Sequence, residues 1–512
     1  MSEAGSQRRS YDELLAVVTG VPALAARVAL LGMENGDLRA GNAALRAENA
    51  ALKRKLGTDS TNSSTPPSQD SLAAKGKRRA QRSQRVRSKD RKPGGQVGRQ
   101  GSGLMPANAP DRTETAAVPE DCAGCGSDLA DGTDVGMSWT QVWDTPAIRL
   151  EKVQYLLPRR KCLCCQKTTT AAVPFGQAGA VTYGPNVNAA AILLGSAGNV
   201  PVERTAMLMA ALLGSPVSTG FVSRAHERFA QRLEAAGFDD AMSSALANEP
   251  VLCGDETPVN IAHKDTDEDG TPMPGAPHVV TVRTPEERLV SYRALPARTK
   301  VALRNLGVLK DYPGYIVRDD YVGWHQFDER AAGVQQCVSH LFRHLPSVLD
   351  LHPDQQAWAG ETRDVLREAH TAVTAAKVAE AQALDPALLG DLRARYGKAV
   401  TWGQATNRHR DWDGTGNHPG YTLAKRLADK VDQVWLFTTA FSVPWTNNCS
   451  EQALKSPKLH QKVSGYWHTL TTLGRFCTVR SYLTSAGNHG HRAIDAIHNA
   501  LTGNPWMPPI TA

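Results

Sequence analysis

The sequence predicts a multidomain α/β protein: a mixed sheet flanked by helices and interrupted by a helical insertion, preceded by a coiled coil, a cysteine-rich module and a helical segment. Three observations carry this expectation. A chain of 512 residues exceeds one ordinary domain, and an apolar share of 41% supplies at least one sizeable core. Beyond residue 250, short apolar runs at strand length recur between Gly, Pro and Asp turns. Stretches with helical periodicity lie on either side of them.

The elements follow in chain order. Leu24, Leu31, Leu38, Leu45 and Leu52 repeat at seven-residue intervals, with Val28, Asn35, Asn42 and Asn49 three residues before the later four. This is a leucine-zipper pattern over 1–56, and buried Asn residues favour a paired, in-register homodimer at a cost in stability. A single amphipathic helix packed on the body is the alternative. From 57 to 110 the chain is a basic linker, with eleven Lys or Arg between Lys75 and Arg99 against one acid, Asp90. Nearly free of large apolar side chains, it cannot offset the entropy of ordering and is expected to be disordered. Lys77, Arg78 and Arg79 are its densest run, suited to phosphate contact that is salt-sensitive and indifferent to base sequence, although such a run also serves as a solvated tail.

The segment 111–178 holds Cys122-Ala-Gly-Cys125 and Cys162-Leu-Cys-Cys165. Two such pairs suit one structural Zn²⁺ on Cys122, Cys125, Cys162 and Cys165, the alternative being a reduced, metal-free thiol cluster. Gln141 to Thr145 and Lys152 to Leu157 are read as strands that bring the pairs together, and Cys164 is left over. From 179 to 245 the pattern is helical: Val202 to Leu213, a break at Gly214 to Ser218, then Thr219 to Leu233. The outline is that of a helix-turn-helix, with Arg224 and Arg228 as candidate DNA contacts, although many helix pairs simply pack together.

The main body is placed at 246–495, followed by a tail at 496–512. Val251 to Cys253, His278 to Arg283, Leu289 to Arg293 and Tyr315 to Arg318 read as strands of a mixed sheet. Asp265, Asp267, Asp269 and Gly270 imitate the front of a calcium loop, but its twelfth position is Ala276 where a bidentate Glu is needed, so a polar hairpin tip is expected. His340, Arg343 and His344 lie in a helix from Cys337 to Leu349. Glu361 to Leu389 is Ala-rich and helical, within an insertion of about 345–430. Beyond it comes the last acidic motif.

Three acids stand out: Asp255 after the run at Val251, Asp319 after Tyr315-Ile-Val-Arg, and Glu451 where an Asn- and Ser-rich turn opens a helix. A strand, a strand and a helix can gather three carboxylates at one sheet edge. Their mutual repulsion calls for a hard divalent cation, Mg²⁺ or Mn²⁺, and the arrangement predicts metal-dependent phosphoryl transfer.

The net charge of +7 is concentrated rather than spread. Met1 to Tyr11 has no apolar signal core and no run approaches the roughly 20 apolar residues of a membrane helix, so a soluble cytoplasmic protein is expected. Nine cysteines without a secretory signal argue against a disulfide framework.

With these motifs assembled, the chain resembles the insertion sequence 66 family of transposases over nearly its whole length. The residues that carry the resemblance are Asn62-Ser-Ser-Thr-Pro-Pro-Ser-Gln-Asp70, Thr446-Asn-Asn-Cys-Ser-Glu-Gln-Ala-Leu-Lys455, Lys458-Leu-His-Gln-Lys-Val-Ser-Gly465 and Val479-Arg-Ser-Tyr-Leu483. The resemblance implies an RNase H-like catalytic domain of the DDE type in which Asp255, Asp319 and Glu451 hold two Mg²⁺ or Mn²⁺ ions. It implies cleavage of double-stranded DNA at element ends and strand transfer to a target, association with the nucleoid, and room for accessory proteins of the same element. The family's Asp-Gly-Tyr around the second acid is Asp319-Asp320-Tyr321 here, which leaves open a part for Asp320. Its Ala-Glu-Arg is Ser450-Glu451-Gln452. Lys455, Lys458, Lys462 and Arg475 are placed to neutralise phosphates, a role any exposed basic helix imitates.

Two other classes fit the same residues: a non-catalytic DNA-binding regulator with a zipper and a zinc module, and a structure-specific nuclease without strand transfer. For the zipper, Leu38→Pro is expected to abolish dimerisation, read as a halved mass in sedimentation. An unchanged mass excludes it.

Overall fold

A computed structural model describes Gly41 and residues 104–509 except 147, 173–180, 264–274, 287, 352–354 and 411–415. The leucine heptads, Lys77, Arg78, Arg79 and the Asp265–Asp269 turn lie outside the described residues. The chain divides into two compact units, Met1–Gln141 and Val142–Ala512. Among the described residues no helix is long and apolar enough to cross a membrane.

In the first unit, the Cys122 amide donates to Ser127 O at 2.9 Å and Gly126 N donates back to Cys122 O at 2.8 Å, closing a tight turn around Cys125. The second unit begins with a hairpin, β1 (Arg159–Lys161) and β2 (Thr168–Thr170), paired antiparallel. Its tip repeats the same turn, with Cys162 N to Lys167 O at 2.9 Å and Gln166 N to Cys162 O at 3.0 Å. The strands expected at Gln141 to Thr145 and Lys152 to Leu157 do not form; pairing falls instead on the residues flanking the second cysteine cluster. Val142, Trp143, Val153, Tyr155 and Leu156 are exposed, and so is the hairpin that does form, whose register is set by the turn around the cysteines rather than by a covered face.

The main sheet contains β3 (Val251–Pro258), β4 (His278–Arg283), β5 (Val290–Leu295), β6 (Tyr315–Arg318) and β7 (Gly333–Gln336), in the order β5-β4-β3-β6-β7. The β3–β4 and β4–β5 pairs are antiparallel, while β3–β6 and β6–β7 are parallel. Four strands fall where the apolar runs predict them. The fifth, β7, is invisible to hydropathy because Gln335 and Gln336 are buried polar residues. Gln335 is satisfied by the backbone, donating to Val434 O at 3.1 Å and accepting from Phe437 N at 2.9 Å.

Between the hairpin and the sheet lie α1 (Pro185–Ser196), α2 (Val202–Leu213), α3 (Thr219–Ala235) and α4 (Phe238–Ala247). Gly214 ends α2 in the left-handed region and the Ser218 side chain caps α3, so the turn between them is built from a C-cap and an N-cap. Phe229, Leu233, Phe238 and Met242 share one core with Leu252, Val280 and Ile316 of the sheet, so this helical segment packs directly on the main body. After β5 comes α5 (Lys300–Arg304), which leads to β6.

The insertion comprises α6 (Val338–Leu351), α7 (Ala357–Val378), α8 (Pro386–Asn407), α9 (Pro419–Asp429) and α10 (Val431–Trp435). It has its own core around Trp358, Tyr396, Leu427 and Trp435. The helix expected from Glu361 to Leu389 is broken in two, because Asp385 caps the Leu388 amide and Pro386 starts a new helix at its first turn. The chain returns through α11 (Asn448–Ala453), α12 (Lys455–Ser464), α13 (Leu470–Asn488) and α14 (Ala493–Leu501). Helix α13 covers the edge strand: Ser485 and Ser481 accept the amides of Val290 and Tyr292 at 3.0 and 2.8 Å.

Two half-buried histidines lie where α12 meets the α1–α3 layer. His226 bonds Ser196 Oγ at 3.1 Å, and His460 stacks on Trp467 at 5.0 Å. Burial lowers each imidazole to about 4, with His226 and Arg480 adding to the effect on His460. A depressed histidine favours the fold while neutral, so its contribution is complete above the unfolded value near 6.5 and is lost as pH falls toward 4. Chemical denaturation at pH 7.5 and pH 5 is expected to show a loss of up to about 2 kcal/mol per histidine, and His226→Gln a smaller pH dependence. Equal slopes for the two proteins would contradict this assignment.

Candidate active site

The parallel register of β3 and β6 pairs Val251 with Tyr315, Leu252 with Ile316 and Cys253 with Val317. Two residues further along each strand stand Asp255 and Asp319. A period of two puts them on the face that carries Cys253 and Val317, where Val443 and Cys449 pack. That face receives the start of α11, whose first turn carries Glu451.

Hydrogen bonds fix this helix against the strand. Asn447 Nδ2 donates to Gly254 O at 2.8 Å, and Arg283 Nη1 donates to Cys449 O at 2.9 Å. The Cys253 and Cys449 thiols, each two residues before an acid, are hydrogen-bonded to one another: that bond lowers Cys449, while the same bond and burial raise Cys253. The structure therefore brings Asp255, Asp319 and Glu451 to one sheet edge. Burial, then the nearby carboxylates of Glu256 and Asp319 and more weakly Glu451, push the Asp255 carboxyl up to about 8. Like charges converge on it.

Each remaining acid has its own partner. Glu451 Oε1 lies 2.6 Å from Arg343 and 3.7 Å from His340 Nε2. Asp319 accepts from the Tyr321 amide at 3.0 Å and stands 3.5 Å from Arg298. Asp320 turns to the insertion, where Lys430 at 2.5 Å, His325 at 3.2 Å and Arg426 at 3.5 Å surround it. Burial works against its charge, but Lys430, Arg426 and His325 hold its carboxyl below the usual value. The doublet is thus divided, with Asp319 facing Asp255 and Asp320 engaged elsewhere.

Glu256 is the residue that the sequence reading passed over. Next along β3 from Asp255, it points to the opposite face, where Arg298 Nε at 2.5 Å and Trp324 Nε1 at 2.7 Å hold its carboxylate. Gly254 is required there, since a Cβ would collide with the Trp324 ring. Arg298 also lies over the Tyr321 ring, 3.6 Å from its centroid, so one guanidinium links Glu256, Asp319 and Tyr321. The available signal was the acidic pair Asp255-Glu256 itself. Nothing in the pattern points to Arg298.

The donors at the site are oxygens, the kind a hard cation takes, although Asp255, Asp319 and Glu451 do not bring one oxygen each within 4.8 Å of one another. Besides the acids, Thr281 Oγ1, on the β4 residue paired with Asp255, and Asn447 Oδ1 are buried with no hydrogen-bond partner among the described residues. The expected phosphate contacts divide. Lys455 and Lys462 are exposed on α12, whereas Lys458 is half-buried and donates to Pro258 O. Arg475 is paired with Glu227 at 2.9 Å. Arg224 is exposed on α3, while Arg228 donates to Asn188 Oδ1 at 2.7 Å and lies over Phe221.

A carboxylate whose folded value is raised destabilises the fold as pH rises from its unfolded value near 4 through 8. Without divalent cations at pH 8, Asp255→Asn is therefore expected to be more stable than the parent by roughly 2–4 kcal/mol. The gap should close near pH 4. Thermal melts in chelator at the two pH values measure it, and a destabilised variant at pH 8 would show that the cluster is not repulsive.

A family model described as Transposase IS66 family matches residues 180–473. A second, described as a family of unknown function (DUF6444), matches residues 17–104. No curated protein matches the chain.

Proposed function

The chain belongs to the IS66 family of transposases, and from that premise we propose that it is a DDE transposase with an RNase H-like sheet, which binds the ends of its element, cuts them and joins them to target DNA. The observation that carries this reading is the convergence of Asp255, Asp319 and Glu451 at one sheet edge, with Asp255 held near 8 by burial and its acidic neighbours. Cut and joined DNA are products of phosphoryl transfer, for which such an edge is suited.

Asp255, Asp319 and Glu451 hold the metal, with Thr281 Oγ1 and Asn447 Oδ1 as further oxygens beside them. When bound, two Mg²⁺ or Mn²⁺ ions supply Lewis acidity for an in-line displacement at phosphorus. Asp255 must lose its proton to take part, so metal affinity rises with pH up to about 8. Asp320 stays outside this set because Lys430 and Arg426 already neutralise it. Arg298 orients Glu256 and Asp319 from the opposite side. Lys455 and Lys462, exposed on the helix that follows Glu451, and Arg224 contact DNA phosphates. Lys458, Arg228 and Arg475 reach DNA only by giving up the partners described above.

The zinc reading is supported by the recurrence of one turn at both cysteine clusters, each with its first cysteine bonded to the residues four and five positions on. Each turn then offers a pair of thiolates to structural Zn²⁺, Cys122 and Cys125 in one and Cys162 and Cys165 in the other. The zipper pairs two chains, and Lys77, Arg78 and Arg79 hold DNA loosely by charge.

The test is incubation of the full chain with DNA carrying element ends and Mn²⁺, with nicked, excised and joined products resolved. Cut and joined DNA are expected, and Asp319→Asn or Glu451→Gln should reduce both by at least about 100-fold while DNA binding persists. Cut DNA without joined product would instead identify a nuclease. Undiminished activity in either variant would refute the assignment.

A further inference from the structure

Cys337 follows β7 and His340 lies in the first turn of α6, so the spacing Cys-x-x-His brings a thiol and an imidazole to one end of a helix. Glu451 meets them from α11. One ligand atom from each of the three lies within 4.8 Å of the others. His340 Nε2 is 3.7 Å from Glu451 Oε1, and His340 Nδ1 is buried with no hydrogen-bond partner among the described residues. The Asn447 amide donates to Cys337 Sγ at 3.1 Å, an interaction that also stabilises a thiolate. Cys337 is buried, and Glu451 and His340 open toward solvent.

The donor set differs in kind from that at Asp255 and Asp319. Sulfur, imidazole nitrogen and one carboxylate oxygen select Zn²⁺ and similar thiophilic ions over Mg²⁺, and three protein ligands leave one tetrahedral position open. We infer that Cys337, His340 and Glu451 form a second metal site for thiophilic divalent ions, which shares Glu451 with the catalytic set and withdraws that carboxylate from it when filled. The site thereby makes the protein sensitive to Zn²⁺ in the presence of Mg²⁺. Ion binding here stands on the geometry alone; inhibition rests on the function proposed above.

Loading involves no change of oxidation state. The Cys337 thiol gives its proton to solvent as the sulfur–metal bond forms, and His340 contributes a ring lone pair. Arg343, now 2.6 Å from Glu451 and more than half exposed, yields its place to the ion.

The probe is Co²⁺ added to the metal-free full chain under reducing conditions, followed by thiolate-to-cobalt absorption in the near ultraviolet and by equivalents bound per chain. The parent is expected to bind one equivalent more than Cys337→Ser, with part of the sulfur band lost in the variant. His340→Gln should keep the fold and weaken binding at this site by about 10-fold or more. Ions at the other cysteine clusters contribute equally to all three proteins. Identical stoichiometry and spectra in the parent and both variants would overturn the site. In the Mg²⁺-supported DNA reaction, the Zn²⁺ concentration for half-inhibition should rise at least about 10-fold in Cys337→Ser, relative to that variant's own uninhibited rate. An unchanged value would overturn the inhibitory role. Absence of DNA products from the parent would refute the proposed function and leave the cobalt result to decide the site.

Discussion

The parallel, in-register pairing of β3 with β6 is the constraint on which the rest depends. Because Cys253 aligns with Val317, the two strands end level, and acids two residues further on reach the same height on the same face. An antiparallel β6 would send its C-terminal end to the opposite edge, and a one-residue slip would turn Asp319 to the other face. The crossover through α5 delivers the parallel direction, since a parallel neighbour cannot be reached by a tight turn. Repulsion between the acids opposes this pairing, and the apolar residues Val251, Leu252, Ile316 and Val317 beneath them overcome it by burial.

Glu451 reaches that edge more than a hundred residues after the end of β7, and the insertion between them is what guides it. Helix α6 leaves β7 beside the returning chain, with Val338 N donating to Trp445 O at 3.0 Å. His370 of α7 stacks on the Trp445 ring at 3.7 Å, and Phe342 meets it edge-on. The segment just before Glu451 is thereby clamped between the insertion core and the sheet. Each hydrogen bond contributes about 1 kcal/mol net, so the precision comes from several acting with buried aromatic contact rather than from any single one.

What was legible in the sequence follows from the same physics. Strands β3, β4, β5 and β6 announce themselves because burial demands apolar residues that run together or alternate at strand length, and Asp255 and Asp319 stand out because each follows such a run, whereas Glu451 stands out at a helix start. Strand β7 hides its burial behind two glutamines whose hydrogen bonds are made to chain about a hundred residues away. The same applies to Arg298, Trp324 and Asp320: their partners are set by tertiary placement, and no local spacing encodes them. Hydropathy and periodicity report which face is covered, and the counter-charges of a site depend on which distant side chain arrives there.

Those counter-charges differ in exposure, and the difference separates structural pairs from exchangeable ones. Arg318 is fully buried and bound to Asp328 at 2.5 Å, so its removal would strand a carboxylate beneath the sheet end. Arg298 and Arg343 are 39% and 57% exposed while they neutralise acids of the cluster. A partly exposed guanidinium keeps much of its hydration and can swing into solvent when a stronger cation arrives, at little free-energy cost. Asp255 has a proton in the corresponding role, since burial and its neighbours raise its carboxyl to about 8. The edge is therefore folded around temporary charges, two side chains and one proton, each of which a divalent ion can displace without disturbing the strands that hold the acids.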